Sequence, residues 1–190
     1  MNVRRILLLG VAGSLAVSAL FAIYVVVTQS FNETSGRITL TTLAVGFYSL
    51  MGLCCTPHLE EHVHKRTFAL IGIAVCALGL LFACITNWAA TDIWSSRFGI
   101  VIQLRLGFFV LAFALAHSSL LLIIKPRSTV VRAAQVTTIV VIAILGMHML
   151  RAIFLPDLRL GVSWQVTAVL GILDALGSIA TPLLHVASKT

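Results

Sequence analysis

The residue of this sequence with the clearest chemical potential is an acid placed inside an apolar stretch. Asp174 is the only Lys, Arg, Asp or Glu between residues 162 and 186. An ionised carboxylate near the middle of a bilayer costs about 2.5–3.5 kcal/mol unless it is paired or protonated, so such residues commonly hold an ion pair, a proton or a substrate. Asp174 is therefore the leading candidate for an intramembrane site.

The spacing around Asp174 predicts one polar helix face. The residues on it are separated by three, four, three and four positions, and residues three and four apart lie on the same side of a helix. They are Gly171, Asp174, Ser178, Thr181 and His185. We expect this face to look into a helix bundle, because lipid cannot satisfy its polar groups.

Arg105 is the natural partner for Asp174, since it is the one basic residue inside the apolar stretch 99–124. Together with neighbouring polar residues these two form a predicted ligand or ion-pair cluster. Its members are Asp174, Arg105, His148, Arg151, Gln103 and Gln165. One interpretation is a buried ion pair that fixes helix register, with Arg151 reaching outward. The other is a site for a proton, a lipid headgroup or an anion, which two Arg against one Asp favour over a cation.

Two further sets of residues suggest metal chemistry. His117 and His185 are candidates for bis-histidine haem ligation, although they differ by about 10 Å in depth at a rise of 1.5 Å per residue. Cys54, His58 and His62 lie in a polar loop, where zinc or copper ligation is conceivable. Histidines that bond to neighbouring helices and a solvated loop are the respective alternatives. We expect no bound cofactor.

The composition of the chain indicates what kind of protein positions these residues. Of 190 residues, 59% are hydrophobic and 10% are charged, and the mean hydropathy is +1.08. A soluble domain carries roughly 25% charged residues. This composition argues against a soluble enzyme, a nucleic-acid-binding protein and a disordered chain, and it predicts an integral membrane protein. No P-loop, GxGxxG, Ser-His-Asp order or pair of catalytic carboxylates is evident, so we expect no enzyme.

The apolar segments predict an all-α, polytopic membrane protein: a bundle of six transmembrane helices in a single domain of residues 1–190. A span requires about 20 apolar residues. The predicted spans are about 6–27, 38–55, 67–86, 99–124, 133–155 and 162–186. The first has a basic start like a signal peptide, but its apolar stretch is longer than a signal requires.

Basic residues predict the orientation, because Lys and Arg collect in cytoplasmic loops. With both termini cytoplasmic, eight basic residues lie inside and four lie outside. Those inside are Arg4, Arg5, Lys65, Arg66, Lys125, Arg127, Arg132 and Lys189, and those outside are Arg37, Arg97, Arg151 and Arg159.

Small residues recur at helical spacing in four of the segments, which lets helix backbones approach in lipid. The stripes are Gly10, Ser14, Ser18 and Ala22; Gly72, Cys76, Gly79 and Ala83; Gly107, Ala114 and Ser118; and Gly171, Ala175 and Ser178. We expect contacts within one bundle, with other membrane subunits or a second copy of the chain as the alternative partners. Membrane lipids surround the protein, and we expect no nucleic-acid partner.

Two stretches carry a family resemblance: Leu50-Met51-Gly52-Leu53-Cys54-Cys55 and Gly171-Ile172-Leu173-Asp174-Ala175-Leu176-Gly177-Ser178. They resemble uncharacterised multi-span inner-membrane proteins of bacteria, which implies a bacterial inner membrane and no known activity. The expected function is a non-enzymatic structural or accessory membrane subunit. The alternatives are a small transporter or proton-coupled permease that uses Asp174, Arg105 and His148, and a haem-binding electron carrier that uses His117 and His185.

Overall fold

The computed structural model describes residues 9–10, 12–13, 16–17, 20, 23–24, 33–60, 63–88, 98–124, 126, 128–155 and 164–187. Within them lie five long helices, which are α1 (Glu33–Cys55), α2 (Val63–Trp88), α3 (Phe98–Ile123), α4 (Thr129–Phe154) and α5 (Trp164–Ala187). A short 3₁₀ helix, Thr56–Glu60, continues α1. Helices satisfy their backbone hydrogen bonds internally, which apolar surroundings demand.

All five helices are long and apolar enough to cross a membrane. The shortest apolar span has 20 residues, about 30 Å at a rise of 1.5 Å per residue, which matches the hydrocarbon thickness. The all-helical prediction is thereby confirmed, and the helices, which could each span a membrane, coincide with the second to sixth predicted segments. The count of six spans and the cytoplasmic termini stay predictions. The first predicted segment, 6–27, lies mostly outside the described residues, and those of it that are described are helical.

Polar residues at the starts of α1 and α4 extend these helices beyond the apolar pattern. α1 begins at Glu33 rather than Ile38, and Arg37 donates a 2.5 Å hydrogen bond to the Glu33 carboxylate one turn away. α4 begins at Thr129 rather than Ala133, where the Ser128 side chain accepts a hydrogen bond from the Val131 backbone N–H. Such an N-cap satisfies one of the free donors of the first turn.

The chain divides into two compact units, Met1–Ala112 and Phe113–Thr190, and α3 contributes residues to both. In unit 1, α1 and α2 are joined by a short connection and pack along each other. The predicted stripe on α2 forms this contact, since Gly72, Cys76, Gly79 and Ala83 are all buried. The Tyr48 ring of α1 lies directly over Gly79, so this stripe is confirmed as a helix-packing face.

Aromatic rings bring the first half of α3 into unit 1. Phe109 stacks on Phe47 of α1 with ring centroids 4.6 Å apart, and Phe108 stacks on Phe82 of α2 at 5.3 Å. Offset stacking of this kind adds about 0.5–1.5 kcal/mol to area burial. These contacts hold the neighbouring Arg105 against the end of α2.

Unit 2 packs α4 along α5. Gly177 of α5 lies against the buried Thr138 side chain of α4, leaving no space for a Cβ. The predicted stripe on this helix was wrong at Ala175, which is exposed, and the buried position is instead Thr181. The inward face of α5 therefore carries Gly177 and Thr181 rather than Ala175.

Gln135, buried in α4, closes the end of α3. Its side-chain amide donates to the backbone carbonyls of Leu121 at 2.6 Å and Ile124 at 3.1 Å. These carbonyls lie at the end of a helix, where backbone donors become scarce; the Leu121 carbonyl also accepts from the Ile124 backbone N–H at 3.2 Å. The second half of α3 is thereby fixed to α4.

The remaining small-residue stripes are described in part. On the first segment a Cβ at Gly10 would come 2.7 Å from the Ser49 hydroxyl oxygen of α1, whereas Ser14, Ser18 and Ala22 lie outside the described residues. On α3, Gly107 and Ser118 are buried. Ala114 is the nearest neighbour of a Cβ built at Gly146, at 3.8 Å. These stripes therefore serve helix contacts wherever they are described.

Replacing Gly79 by Ala tests the α1–α2 contact. We expect Gly79→Ala to destabilise the protein by roughly 1–2 kcal/mol, because overlap with the Tyr48 ring exceeds the gain in helix propensity. Gly36→Ala is the matched control, since no atom lies within 4 Å of a Cβ at Gly36. Thermal unfolding in detergent measures both variants, and equal melting temperatures would contradict this packing.

Candidate functional site

Unit 2 holds a polar centre made of one histidine, one acid and one serine, and we call His117, Asp174 and Ser178 the acid–histidine centre. His117 Nε2 lies 2.7 Å from Ser178 Oγ and 3.7 Å from Asp174 Oδ1. Ser178 Oγ lies 2.7 Å from the backbone carbonyl oxygen of Asp174 and 3.4 Å from its Oδ1. The predicted inward face of the last helix thus carries its acid next to an imidazole of α3.

The local sequence of α5 explains why these groups meet. Asp174 and Ser178 are four residues apart, so they lie one above the other on one face. Gly177, beside Ser178, allows α5 to contact Thr138 closely. Thr181, fully buried, donates to the Gly177 carbonyl at 2.8 Å, which satisfies its hydroxyl within the same helix.

Ser178 links His117 to the backbone of α5. A carbonyl oxygen only accepts, so the Ser178 hydroxyl donates to the Asp174 carbonyl 2.7 Å away. Ser178 Oγ then accepts from His117 in the tautomer that carries its hydrogen on Nε2. That same N–H lies 3.7 Å from the Asp174 carboxylate. A proton on Nε2 therefore faces both the serine oxygen and the acid.

The centre is largely shielded. The Asp174 and His117 side chains are 13% and 23% exposed, and the edge of the imidazole packs on the Phe113 ring with centroids 5.9 Å apart. Within the described residues of unit 2, His117 is the basic side chain that has a nitrogen within 4 Å of the Asp174 carboxylate. His117 is therefore placed to exchange a proton with the acid.

Histidine, acid and serine together resemble the residue set of a hydrolase, but their arrangement is different. In a catalytic triad the acid binds one imidazole nitrogen and the serine binds the other. Here Ser178 and Asp174 both approach Nε2, so the imidazole cannot relay a proton from the serine to the acid. This geometry favours proton binding over nucleophilic attack.

Sequence reasoning did not identify His117 as the partner of Asp174. His117 was assigned to a haem hypothesis with His185, whose side chain lies outside the described residues. The signal available was the Asp174–Ser178 spacing, which provides both a carboxylate and a hydroxyl for one histidine on a facing helix. Since Nε2 of His117 already binds Ser178, haem ligation through that nitrogen requires this hydrogen bond to break.

The other predicted cluster members lie elsewhere. In unit 2, His148 is half-buried, Arg151 and Gln165 are exposed, and neither His148 nor Arg151 forms a hydrogen bond or ion pair with Asp174. The Nε2 atom of His148 is buried without a hydrogen-bond partner among the described residues. Arg105 and Gln103 belong to unit 1, so the pairing of Arg105 with Asp174 stays a prediction.

Unit 1 holds a second polar group, centred on Arg105 of α3. Arg105 Nη1 donates to Thr86 Oγ1 at 3.1 Å and to Asn87 Oδ1 at 3.0 Å, both in the last turn of α2. Asn87 Nδ2 and Trp88 Nε1 in turn donate to Thr41 Oγ1 of α1, at 3.4 and 2.9 Å. Three helices are thereby joined at one end by neutral acceptors around one cation.

The prediction of a solvated loop around His58 was wrong for the part of this segment that is described. Pro57 follows Thr56 in a 3₁₀ helix that packs on α2, and His58 is 1% exposed. Proline is favoured at the start of a helix, which lets the chain turn directly from α1. Cys54 is half-buried and forms no disulfide, and His62 lies outside the described residues. The described ranges hold no group of three His, Cys, Asp or Glu placed to share a metal ion.

Comparison of the chain with protein-family models, curated proteins and solved structures finds no match. What the site can do therefore follows from its own residues and their geometry.

A double-mutant cycle tests the acid–histidine centre. We expect Asp174→Asn and His117→Gln each to destabilise the protein, with a coupling free energy of about 0.5–3 kcal/mol because they share one hydrogen-bonded group. The control cycle pairs Asp174→Asn with Arg151→Gln, whose effects should add to within about 0.5 kcal/mol. Thermal unfolding in detergent measures both, and additivity in the first cycle would refute the contact.

Proposed function

We propose that this chain is a small transporter, a permease that carries protons across the membrane and whose proton-binding group is the acid–histidine centre. The observation that supports it is the 3.7 Å approach of His117 Nε2 to Asp174 Oδ1 inside a pair of apolar helices. Ionisable residues at bilayer depth are costly and typically mark proton or substrate pathways.

The centre offers a proton two neighbouring binding atoms. A carboxylate oxygen and an imidazole nitrogen both accept protons, and Asp174 Oδ1 and His117 Nε2 lie 3.7 Å apart. A proton can therefore pass between His117 and Asp174 within one centre, as a carrier requires.

The residues around the centre have separate roles in this proposal. Ser178 holds the His117 N–H at a fixed distance from the acid. Pro182, four residues further along α5, has no N–H to donate to the Ser178 carbonyl, so the helix lacks one backbone bond beside the centre. Helix bending at this point would separate Ser178 from His117 and open the proton-binding group.

A structural or accessory subunit is the second candidate function. It is favoured by the closed hydrogen bonding of Ser178, which accepts from His117 and donates to the Asp174 carbonyl. A self-contained polar contact of this kind fixes helix register in a bundle. Neither proposal involves catalysis, and the two differ in whether protons cross the membrane.

The proposal includes the orientation of the chain in a bacterial inner membrane. Six spans with both termini cytoplasmic place eight basic residues inside and four outside, in accordance with the positive-inside bias. The polar group centred on Arg105 then lies toward the outer surface of the membrane. The exposed Trp88 ring suits the membrane–water interface on that side.

Accessibility labelling tests this topology. Lys65→Cys, Lys125→Cys and Arg97→Cys are treated with a membrane-impermeant maleimide on intact cells, with the native chain as the control for its own four cysteines. We expect labelling of Arg97→Cys alone, because the other two positions are cytoplasmic. Labelling of either lysine position from outside would overturn the topology.

Proton movement tests the permease. Liposomes that contain the full-length protein, an internal pH-sensitive dye and a potassium clamp of the membrane potential receive an external acid pulse. We expect faster internal acidification than in protein-free liposomes, because the centre carries protons inward. Asp174→Asn should reduce the rate to that of empty liposomes, while Arg151→Gln should retain it.

Two outcomes of that experiment contradict the permease. Wild-type protein that acidifies no faster than empty liposomes leaves only the accessory-subunit candidate. Asp174→Asn that acidifies at the wild-type rate shows that protons move without the acid–histidine centre.

A further inference from the structure

Unit 1 contains a pocket of about 430 Å³ beside Arg105, separate from the acid–histidine centre. Its wall is apolar apart from one guanidinium and one phenol. The lining residues are Leu40, Leu43, Ala44, Phe47, Tyr48, Ala83, Arg105, Leu106 and Phe109. Ligand sites are typically about 300–1,000 Å³ and combine an apolar lining with a few placed polar groups, so this pocket has the size and chemistry of a small one.

The cation on the pocket wall lacks a full counter-charge. Among residues 33–60, 63–88 and 98–112 of the described chain, no carboxylate lies within 4 Å of Arg105. Its two acceptors, Thr86 and Asn87, are neutral. They lie in the last turn of α2, whose C-terminal dipole supplies only about half a negative charge. A net positive charge therefore remains at this end of the pocket.

The guanidinium also has donors to spare. Both of its hydrogen bonds leave from Nη1, and an arginine carries five N–H groups. The Nη2 and Nε donors lie in one plane and match the two oxygens of a carboxylate. The free edge of Arg105 is therefore suited to a single carboxylate.

The residues that line the pocket beside Arg105 are mostly apolar and come from α1, α2 and α3. Leu40 and Phe47 mark two ends of one α1 face, about 10 Å apart at 1.5 Å per residue. Phe109 lies one turn below Arg105 on α3, and its ring stacks on Phe47. A ligand with a charged head at Arg105 thus meets only apolar and aromatic surface along its length.

The pocket is open at its apolar wall. Leu43 is 59% exposed and Phe109 is 45% exposed, so an apolar molecule can reach Arg105 past these two side chains. A water-soluble anion would have to cross apolar surface to reach the same point.

From this charge and shape we infer that the Arg105 pocket binds a long-chain fatty acid, with its carboxylate on the guanidinium and its single chain along Phe47 and Phe109. The volume is at the lower end of the range for ligand sites, which favours one acyl chain over the two chains of a phospholipid. This site lies outside the proposed proton pathway and stands whether or not the protein is a permease.

Binding of oleate to the full-length protein in phosphatidylcholine nanodiscs tests the inference. We expect saturable binding of radiolabelled oleate. We also expect binding of oleyl alcohol, which has the same chain without the charge, to be about tenfold weaker or more, equivalent to at least about 1.4 kcal/mol. This comparison uses the unaltered protein, so it does not depend on the folding of a variant.

Variants locate the site. Arg105→Gln should weaken oleate binding about tenfold or more, and Ala44→Phe should block it by filling the pocket. Arg151→Gln removes an exposed arginine of unit 2 and should leave binding unchanged. Arg105→Lys retains the charge without the planar fork and should bind with intermediate affinity. A melting temperature is measured for each variant.

Three results would overturn the inference. The first is equal affinity for oleate and oleyl alcohol, which removes the role of the guanidinium. The second is unchanged oleate binding in a folded Ala44→Phe protein, which places the ligand elsewhere. The third is displacement of oleate by phosphatidylglycerol in the nanodisc at equal mole fraction, which assigns the pocket to a phospholipid headgroup instead of a free fatty acid.

Discussion

The structure depends on one constraint: its five long helices are apolar enough to span a membrane, and a hydrocarbon medium offers no hydrogen bonds. Several hydroxyl side chains form their hydrogen bonds within their own helix. Thr39, Thr138 and Thr181 each donate to the backbone carbonyl four residues earlier. Polar residues satisfied in this way leave no demand on neighbouring helices. The few side chains that cannot be satisfied within their own helix, chiefly Arg105 and His117, therefore determine where helices meet through polar contacts.

Small residues allow the helices to pack closely where no polar contact joins them. Because lipid provides no hydrophobic drive between helices, association depends on close packing and on interhelical hydrogen bonds. Gly79 accommodates the Tyr48 ring and Gly177 accommodates Thr138. The second of these contacts lies beside Ser178, so the same close approach that packs α5 on α4 also positions the acid–histidine centre.

Much of the fold was predictable from the sequence, because length and apolar composition alone identify a membrane helix. The inward face of Asp174 was also predictable, since helical spacing fixes it. Its partner was not, because a boundary error of about 2–4 residues shifts depth by about 3–6 Å, comparable to the spacing between rival partners. The burial of His58 was missed for another reason: its neighbours are polar, and only the packing of the 3₁₀ helix on α2 excludes water from it.

The central claim is that Asp174 and His117 form one proton-binding group. Infrared difference spectroscopy of the protein in nanodiscs tests it directly, by recording the C=O stretching band of a protonated carboxylic acid after an acid pulse. The account predicts a band that is absent in Asp174→Asn and whose frequency shifts in His117→Gln, because loss of the imidazole changes the surroundings of the acid. An Asp174 band with the same frequency in the wild type and in His117→Gln would contradict it.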